Sequence, residues 1–164
     1  MLAQEDTVAI GTRRVSTTAT VHFPHTSASV TSARRRIAAD LDKRGVPRDV
    51  VHDAVLVLSE ILSNALRHAR PLGGSGKIRV SWDVRAGAVE IEVTDGGGAT
   101  RPYPAQPSIS SLGGRGLGIV TTLTSDWGVR SSGPETTVWA VLPSDYRRAV
   151  AAATMFANGT WTVI

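Results

Sequence analysis

The chain has 164 residues, 41% apolar and 20% charged, a composition that predicts one globular domain and excludes a mainly disordered chain. It has no cysteine and no apolar stretch of roughly 18 residues, so disulfides, thiol catalysis and cysteine-bound zinc are excluded and no membrane-spanning helix is expected. The formal net charge of +4 suits nucleic acid or a phosphorylated ligand, but the basic residues are scattered and aromatic residues make up only 5%, which disfavours nucleic acid.

The first 18 residues show no hydrophobic periodicity and no basic segment followed by a long apolar one. We therefore expect a flexible N-terminal segment without a secretory signal, and a cytoplasmic protein. Residues 19–23 alternate in polarity and predict the first strand. A helix is predicted to follow, capped by Ser27 or Ser29 and running to about Lys43.

A second helix is predicted from Pro47, whose fixed φ suits a first helical position, to about Ala69. At about 100° per residue, Glu60 and Asn64 fall on one side of this helix. That side also carries three apolar residues, Leu56, Val57 and Ile61. One interpretation is an ordinary amphipathic helix with a solvated polar face. The other, favoured by the apolar neighbours of Glu60, is the floor of a pocket.

Two further strands are predicted over 77–84 and 88–94, with a hairpin turn between them. Asp95 and the three glycines after it end the second of these strands. One interpretation is a loop turn, in which aspartate and glycine are common. The other is a binding site, in which Asp95 accepts a hydrogen bond from a flat polar ligand such as an adenine amino group and the glycines let the base approach the backbone.

Residues 99–112 contain three prolines and little periodicity, and they predict a long loop. The glycine-rich stretch 113–118 then leads into a short predicted helix over 119–123. Glycine N–H groups at a helix N-terminus form an anion site. The stretch fits neither of two common phosphate loops, because no strand directly precedes it and the chain contains no Gly-Lys-Ser or Gly-Lys-Thr.

Two last strands are predicted over 127–130 and 136–141. The order of elements, β-α-α-β-β-loop-α-β-β, predicts an α+β fold, a two-layer α/β sandwich with helices on one face of a mixed, mostly antiparallel sheet. The chain divides into a flexible segment (1–18), the domain (19–146) and an apolar C-terminal segment (147–164). The last of these could pack on its own domain or contact a partner.

Three of these stretches together resemble the nucleotide-binding boxes of the GHKL ATPases, the superfamily of histidine kinases, gyrase B subunits and MutL. Residues 59–69 are similar to the N box, 95–98 to the G1 box and 114–118 to the G2 box, in the family's order. Ala99 stands where the G1 box normally has its last glycine. The resemblance covers about residues 20–143, and it implies the Bergerat fold with an ATP lid before the G2 box, and the binding of ATP and Mg²⁺.

The resemblance assigns roles by position to nine residues. It implies that Asn64 binds Mg²⁺ and the nucleotide, that Glu60 acts as a base or polarises the attacking hydroxyl, and that Asp95 holds adenine. Further nucleotide contacts are implied for Gly97, Gly114, Arg115, Gly116, Leu117 and Gly118. For Arg115, a phosphate contact and an exposed loop position are both open.

Within the superfamily, the chain is most similar to the single-domain anti-sigma-factor serine/threonine kinases of actinobacteria, because no helix pair with a phosphoacceptor histidine is predicted before the domain. This branch implies phosphorylation of an anti-anti-sigma (STAS-type) protein, alternative binding of a sigma factor, and a homodimer as a further expectation. No direct contact with nucleic acid or with a membrane is expected. The alternative function is a non-catalytic ATP-binding module that acts by protein–protein binding.

Overall fold

The computed structural model describes residues 18–98 and 115–143, which form five strands and three helices. In chain order these are β1 (Ala19–Pro24), α1 (Ala28–Lys43), α2 (Arg48–His68), β2 (Lys77–Arg85), β3 (Ala88–Asp95), α3 (Arg115–Leu123), β4 (Asp126–Ser132) and β5 (Glu135–Pro143). The predicted loop over 99–112 and the C-terminal segment 147–164 lie outside the described residues. In the described part, no helix is long and apolar enough to cross a membrane.

The five strands form one sheet in the order β1-β2-β3-β5-β4. The chain leaves the sheet after β3, passes through α3 and returns as a hairpin whose second strand, β5, pairs with β3. β4 is therefore an edge strand, although it precedes β5 in the chain. The α+β prediction is confirmed, and every pair of described strands is antiparallel where the sequence predicts a mixed sheet.

The hydrophobic core lies between the helices and one face of the sheet. Alternate residues of each strand point into it, as the two-residue period of a strand requires. In β2 and β3 these are Ile78, Val80, Trp82, Val89, Ile91 and Val93, each at most 1% exposed. The indole N–H of Trp82 donates to Asp40 Oδ2 at 2.7 Å. This bond satisfies the polar group of the largest core side chain and ties α1 to β2.

The start of α1 falls where the serines predict it, but neither serine caps the helix with its side chain. Ser27 occupies the N-cap position with φ −60° and ψ −31°. That conformation is already helical, whereas a capping side chain reaches the first-turn N–H groups from a non-helical one. The buried Ser29 instead donates its hydroxyl to the Pro24 carbonyl at 2.6 Å. Ser29 therefore fixes the beginning of α1 against the end of β1.

The hairpin between β2 and β3 turns at Ala86 and Gly87, which both have positive φ, 48° and 77°. This is the pattern of a type I′ turn, for which Asn-Gly is preferred. Because alanine in the left-handed region costs roughly 1 kcal/mol or more, we expect Ala86→Asn to raise the free energy of unfolding by about 0.5–1 kcal/mol. Chemical denaturation measures the free energy of unfolding. Gly87→Ala is the control, and it should destabilise the protein. A less stable Ala86→Asn variant would contradict this description of the turn.

Candidate functional site

α2 carries Glu60 and Asn64 one turn apart, at the edge of its buried stripe, and both residues are half-buried. Neither side chain forms a hydrogen bond or ion pair with any residue in the described ranges. Val57 and Ile61, expected on the side of Glu60, are 0% and 2% exposed and belong to the core. The two polar side chains therefore border the packed face of α2 and have no partner among the described residues.

Asp95 is the last residue of β3 and is only 4% exposed. Its Oδ1 accepts a hydrogen bond from the Gly97 N–H at 2.7 Å. Within residues 18–98 and 115–143, no buried side-chain nitrogen or oxygen lacks a partner. The second carboxylate oxygen, which has no hydrogen bond to a described residue, is therefore not fully buried. Such a carboxylate can accept a hydrogen bond from a ligand that covers it.

The two buried aspartates of the described part have opposite pKa shifts. Burial raises the pKa of Asp95, against the Gly97 N–H and the charge of His25, which lower it. Burial also acts to raise the pKa of Asp83, but hydrogen bonds, chiefly from Arg85, outweigh it and hold that pKa below its ordinary value. The protein thus compensates the charge of Asp83 but not fully that of Asp95. A carboxylate left in this condition in a ligand-accessible place is a candidate functional group.

The three glycines after Asp95 pack against the protein's own backbone. A Cβ added at Gly96 would overlap the carbonyl of Pro71. A Cβ added at Gly97 would lie 2.6 Å from the backbone oxygen of Pro134, and one added at Gly98 would lie 2.5 Å from the backbone oxygen of His68. Gly97 also has a φ of 76°, in the left-handed region that favours glycine. Beyond the predicted approach of a base, these glycines are required because they let the Asp95 turn lie between the end of α2 and the β4–β5 turn.

Backbone hydrogen bonds join the Asp95 turn to the residues that follow α2. The Arg70 N–H donates to the Gly97 carbonyl at 2.9 Å, and the Gly96 N–H donates to the Arg70 carbonyl at 2.8 Å. Asn64 lies in the last turns of α2. The end of α2, the helix that carries Asn64, and the turn that carries Asp95 are therefore joined through the backbone of Arg70.

α3 begins at Arg115 instead of at the predicted residue 119, and it packs against α2. Residues 116–118 therefore belong to its first turn, while Gly114 lies outside the described residues. Leu117 is half-buried, and Val120, 0% exposed, anchors the helix in the core. Because the first four N–H groups of a helix have no intrahelical partner, this turn can bind an anion.

The ligand groups of the site suit a cation that arrives with a phosphorylated ligand. In the described ranges, no group of three or more His, Cys, Asp or Glu side chains is arranged to hold a metal ion. The side-chain oxygen of Asn64 is a hard, neutral ligand of the kind Mg²⁺ accepts, and Mg²⁺ usually completes its shell with water and phosphate oxygens. The residues present thus fit Mg²⁺ bound jointly by the protein and a phosphate.

Two residues that sequence patterns do not single out are associated with Asp95. Thr136 pairs with Asp95 across β3 and β5, so both lie on the same face of the sheet, and Thr136 is half-buried. Only the strand register distinguishes it from the next residue, Thr137, which faces Thr94. His25, at the end of β1, acts on the charge of Asp95. No local pattern marks His25, because its place depends on how β1 and α2 pack.

Comparisons with known proteins agree with this fold. Residues 23–142 match the family model described as the Histidine kinase-like ATPase domain. The RsbU and RsbW domains of a Mycobacterium tuberculosis protein match with a TM-score of 0.58 at 20% identity, covering 76% of this chain and 32% of that one. A blue-light activated histidine kinase of Erythrobacter litoralis matches with a TM-score of 0.50 at 22% identity, covering 73% of this chain and 43% of that one.

The chain therefore spans about a third of the length of the first of these structures and less than half of the second. At these identities, the likeness is one of fold. No curated protein sequence matches the chain significantly.

Proposed function

The chain belongs to the histidine kinase-like ATPase domain family, a part of the GHKL superfamily, and on this premise we propose that it binds ATP with Mg²⁺ and transfers the γ-phosphoryl group to a serine or threonine of a protein partner. One observation carries the proposal. Asp95 is a nearly buried carboxylate with one oxygen that forms no hydrogen bond, and its turn is hydrogen-bonded to Arg70, just after α2. The group proposed to bind the base and the group proposed to bind the metal thus lie on connected elements, with Glu60 one turn before Asn64 on α2.

Asp95 is the proposed adenine contact. Its open oxygen would accept a hydrogen bond from the 6-amino group of the base. An ionised carboxylate can only accept, so it favours adenine over guanine, which has an oxygen at that position. Thr136 lies beside Asp95 in the register, and its hydroxyl would add a second polar contact, directly or through a water.

Asn64 and the first turn of α3 are proposed to hold the metal and the phosphates. Asn64 would bind Mg²⁺ through its side-chain oxygen, and the bound ion supplies charge neutralisation at the phosphates. The N–H groups at the start of α3, with those of Gly114 before it, would contact phosphate oxygens. Residues 116–118 and Gly97 would shape this part of the site, and Arg115 would add a positive charge.

Substitution of Asn64 by alanine tests the metal assignment. We expect it to weaken ATP binding by on the order of tenfold or more when Mg²⁺ is present, because a ligand to a charged group is lost. With EDTA the two proteins should bind ATP equally. Calorimetric titration measures both conditions, and Ser63→Ala, a half-buried neighbour on α2, is the matched control. An equal loss with and without Mg²⁺ would show that Asn64 is not a metal ligand.

Glu60 is the proposed base. Its half-buried carboxylate has no partner among the described residues and lies one turn before Asn64. It would accept the proton of the attacking serine or threonine hydroxyl as the new O–P bond forms and the bond between the γ-phosphorus and ADP breaks. The N–H groups in the first turn of α3, and Mg²⁺ when it is bound, would stabilise the negative charge of the leaving ADP.

We place the activity in the anti-sigma branch of the family. The phosphoryl acceptor would be an anti-anti-sigma (STAS-type) protein, and a sigma factor would be the alternative partner. A homodimer is a further expectation for this branch. The fold shared with an RsbW domain is in keeping with this branch. A non-catalytic ATP-binding module is the second candidate, favoured by Ala99 in place of the last G1 glycine.

Incubation with γ-labelled ATP, Mg²⁺ and an anti-anti-sigma protein separates these functions. Label on a serine or threonine of the added protein supports the kinase. ATP binding without transfer supports the binding module, and the absence of ATP binding refutes both. The Asp95→Asn variant is the control for label that does not depend on the site.

A further inference from the structure

His25 connects the end of β1 to the end of α2. Its Nε2 lies 3.0 Å from the carbonyl oxygen of Ala69, and its backbone N–H donates to the Gly76 carbonyl at 3.2 Å. Because a carbonyl oxygen can only accept, Nε2 carries the hydrogen and donates. The ring is half-buried, so the hydrogen bond is partly shielded from water.

The acceptor is the C-cap residue of α2. Ala69 has an extended backbone (φ −116°, ψ 164°), and its own N–H donates to the Ala65 carbonyl. The last carbonyls of a helix lack intrahelical partners and carry the negative end of the helix dipole. A histidine donor is favourable at this end whether neutral or protonated. His25 therefore fixes the point at which the chain leaves α2.

That point is continuous with the Asp95 turn. The residue after Ala69 is Arg70, and its N–H and carbonyl are both bonded to the turn, to Gly97 and Gly96 respectively. The Gly97 N–H in turn holds Oδ1 of Asp95 at 2.7 Å. A chain of short contacts thus runs from the imidazole to the carboxylate. The charge of His25 also acts on Asp95 directly and favours its ionised form.

We infer that His25 is a positioning residue for the base-binding carboxylate, because it secures the end of α2 to which the Asp95 turn is hydrogen-bonded. This inference rests on the proposed function, since it assigns His25 a part in ATP recognition. His25 touches neither the base nor the phosphates in this scheme. It holds the open oxygen of Asp95 where the 6-amino group of adenine requires it.

The test measures binding by the full chain of ATP and of purine riboside 5′-triphosphate, which lacks the 6-amino group. For His25→Ala, we expect the dissociation constant for ATP to rise about three- to tenfold, as for a lost hydrogen bond. The constant for the analogue should not change, because the analogue makes no contact that depends on Asp95. His25→Gln keeps an N–H donor of similar reach and should recover most of the lost affinity for ATP, because it replaces the hydrogen bond of the imidazole but not its charge.

His22→Ala is the matched control, because His22 is an exposed histidine in β1, three residues before His25. This variant should bind both ligands as the wild type does. Equal losses for ATP and the analogue, or no rescue by glutamine, would overturn the inference by indicating a general loosening of the fold. Unchanged ATP binding by His25→Ala would overturn it too. If the wild type does not bind ATP, or if Asp95→Asn binds it equally well, the proposed function itself fails, whatever the His25 variants do.

Discussion

Replacing Glu60 by glutamine is expected to slow phosphoryl transfer by about 10²–10⁴-fold, the usual contribution of a general base. Glutamine has the same shape and still forms hydrogen bonds, but it cannot accept a proton at neutral pH. Glu60 has no partner among the described residues, so the change breaks no contact in that part of the fold. ATP affinity and thermal stability should therefore stay close to wild type. Single-turnover transfer from labelled ATP, with calorimetry for binding, separates the two effects.

The matched control for Glu60→Gln is Asp53→Asn, which neutralises another half-buried acid on α2 about two turns earlier. It should transfer phosphate at the wild-type rate. Equal losses in the two variants would mean that the net charge of α2 matters and no single base is present. Wild-type transfer by Glu60→Gln would remove the assignment of Glu60 and leave the ATP site intact.

Replacing Asp95 by asparagine is expected to weaken ATP binding by about 10- to 100-fold, because a hydrogen bond to a charged acceptor is lost. The same change should stabilise the free protein at neutral pH. Burial raises the pKa of Asp95, so the ionised form is less favourable in the folded chain than in the unfolded one. Asparagine has no charge to bury, and its oxygen can still accept the hydrogen bond of the Gly97 N–H.

The raised pKa of Asp95 also determines how the stabilising effect of Asp95→Asn changes with pH. A carboxyl whose pKa is raised by folding contributes most to the free energy of unfolding at pH values below its pKa in the unfolded chain. This contribution is lost as the pH rises through its pKa in the folded chain. The gain in melting temperature of Asp95→Asn should therefore be present at neutral pH and vanish as the pH falls to about 4 and below. Thermal denaturation between pH 3 and 8 measures it.

Asp83→Asn is the control of opposite sign. The pKa of Asp83 is lowered although burial opposes this, because hydrogen bonds led by that of Arg85 stabilise its charge. Its contribution is present above the unfolded pKa and lost as the pH falls. Asp83→Asn should therefore lower the melting temperature at neutral pH and lose that effect in acid. If Asp95→Asn is also less stable at neutral pH, the description of Asp95 as an incompletely compensated charge is wrong.

Elements with local signals are predicted closely from the sequence. α2 is expected from Pro47 to about Ala69 and spans Arg48–His68, because proline at its start and the apolar period along it are properties of the segment itself. The start of α3 is missed because Gly116 and Gly118 make residues 116–118 look like a loop. They are helical in the structure, where Val120 is anchored in the core and the helix packs on α2.

The candidate site divides in the same way. The stretches similar to the N, G1 and G2 boxes can be predicted from the sequence, because each is short and its chemistry is that of its own residues. The burial of Asp95 cannot be predicted in this way. Nor can the packing of the glycines after it, because Gly96 and Gly97 lie against Pro71 and Pro134, which are distant in the chain. That Val57 and Ile61, expected beside Glu60, are buried in the core is likewise a property of the folded chain.

The sequence by itself determined the family, the order of the elements and the residue types available for chemistry. Only the tertiary structure decided which oxygen of Asp95 is open, which of two adjacent threonines faces it, and that His25 reaches the end of α2. The physical reason is that propensity and periodicity act over a few residues. Desolvation and hydrogen-bond partnership are set by segments that folding brings together from distant parts of the chain.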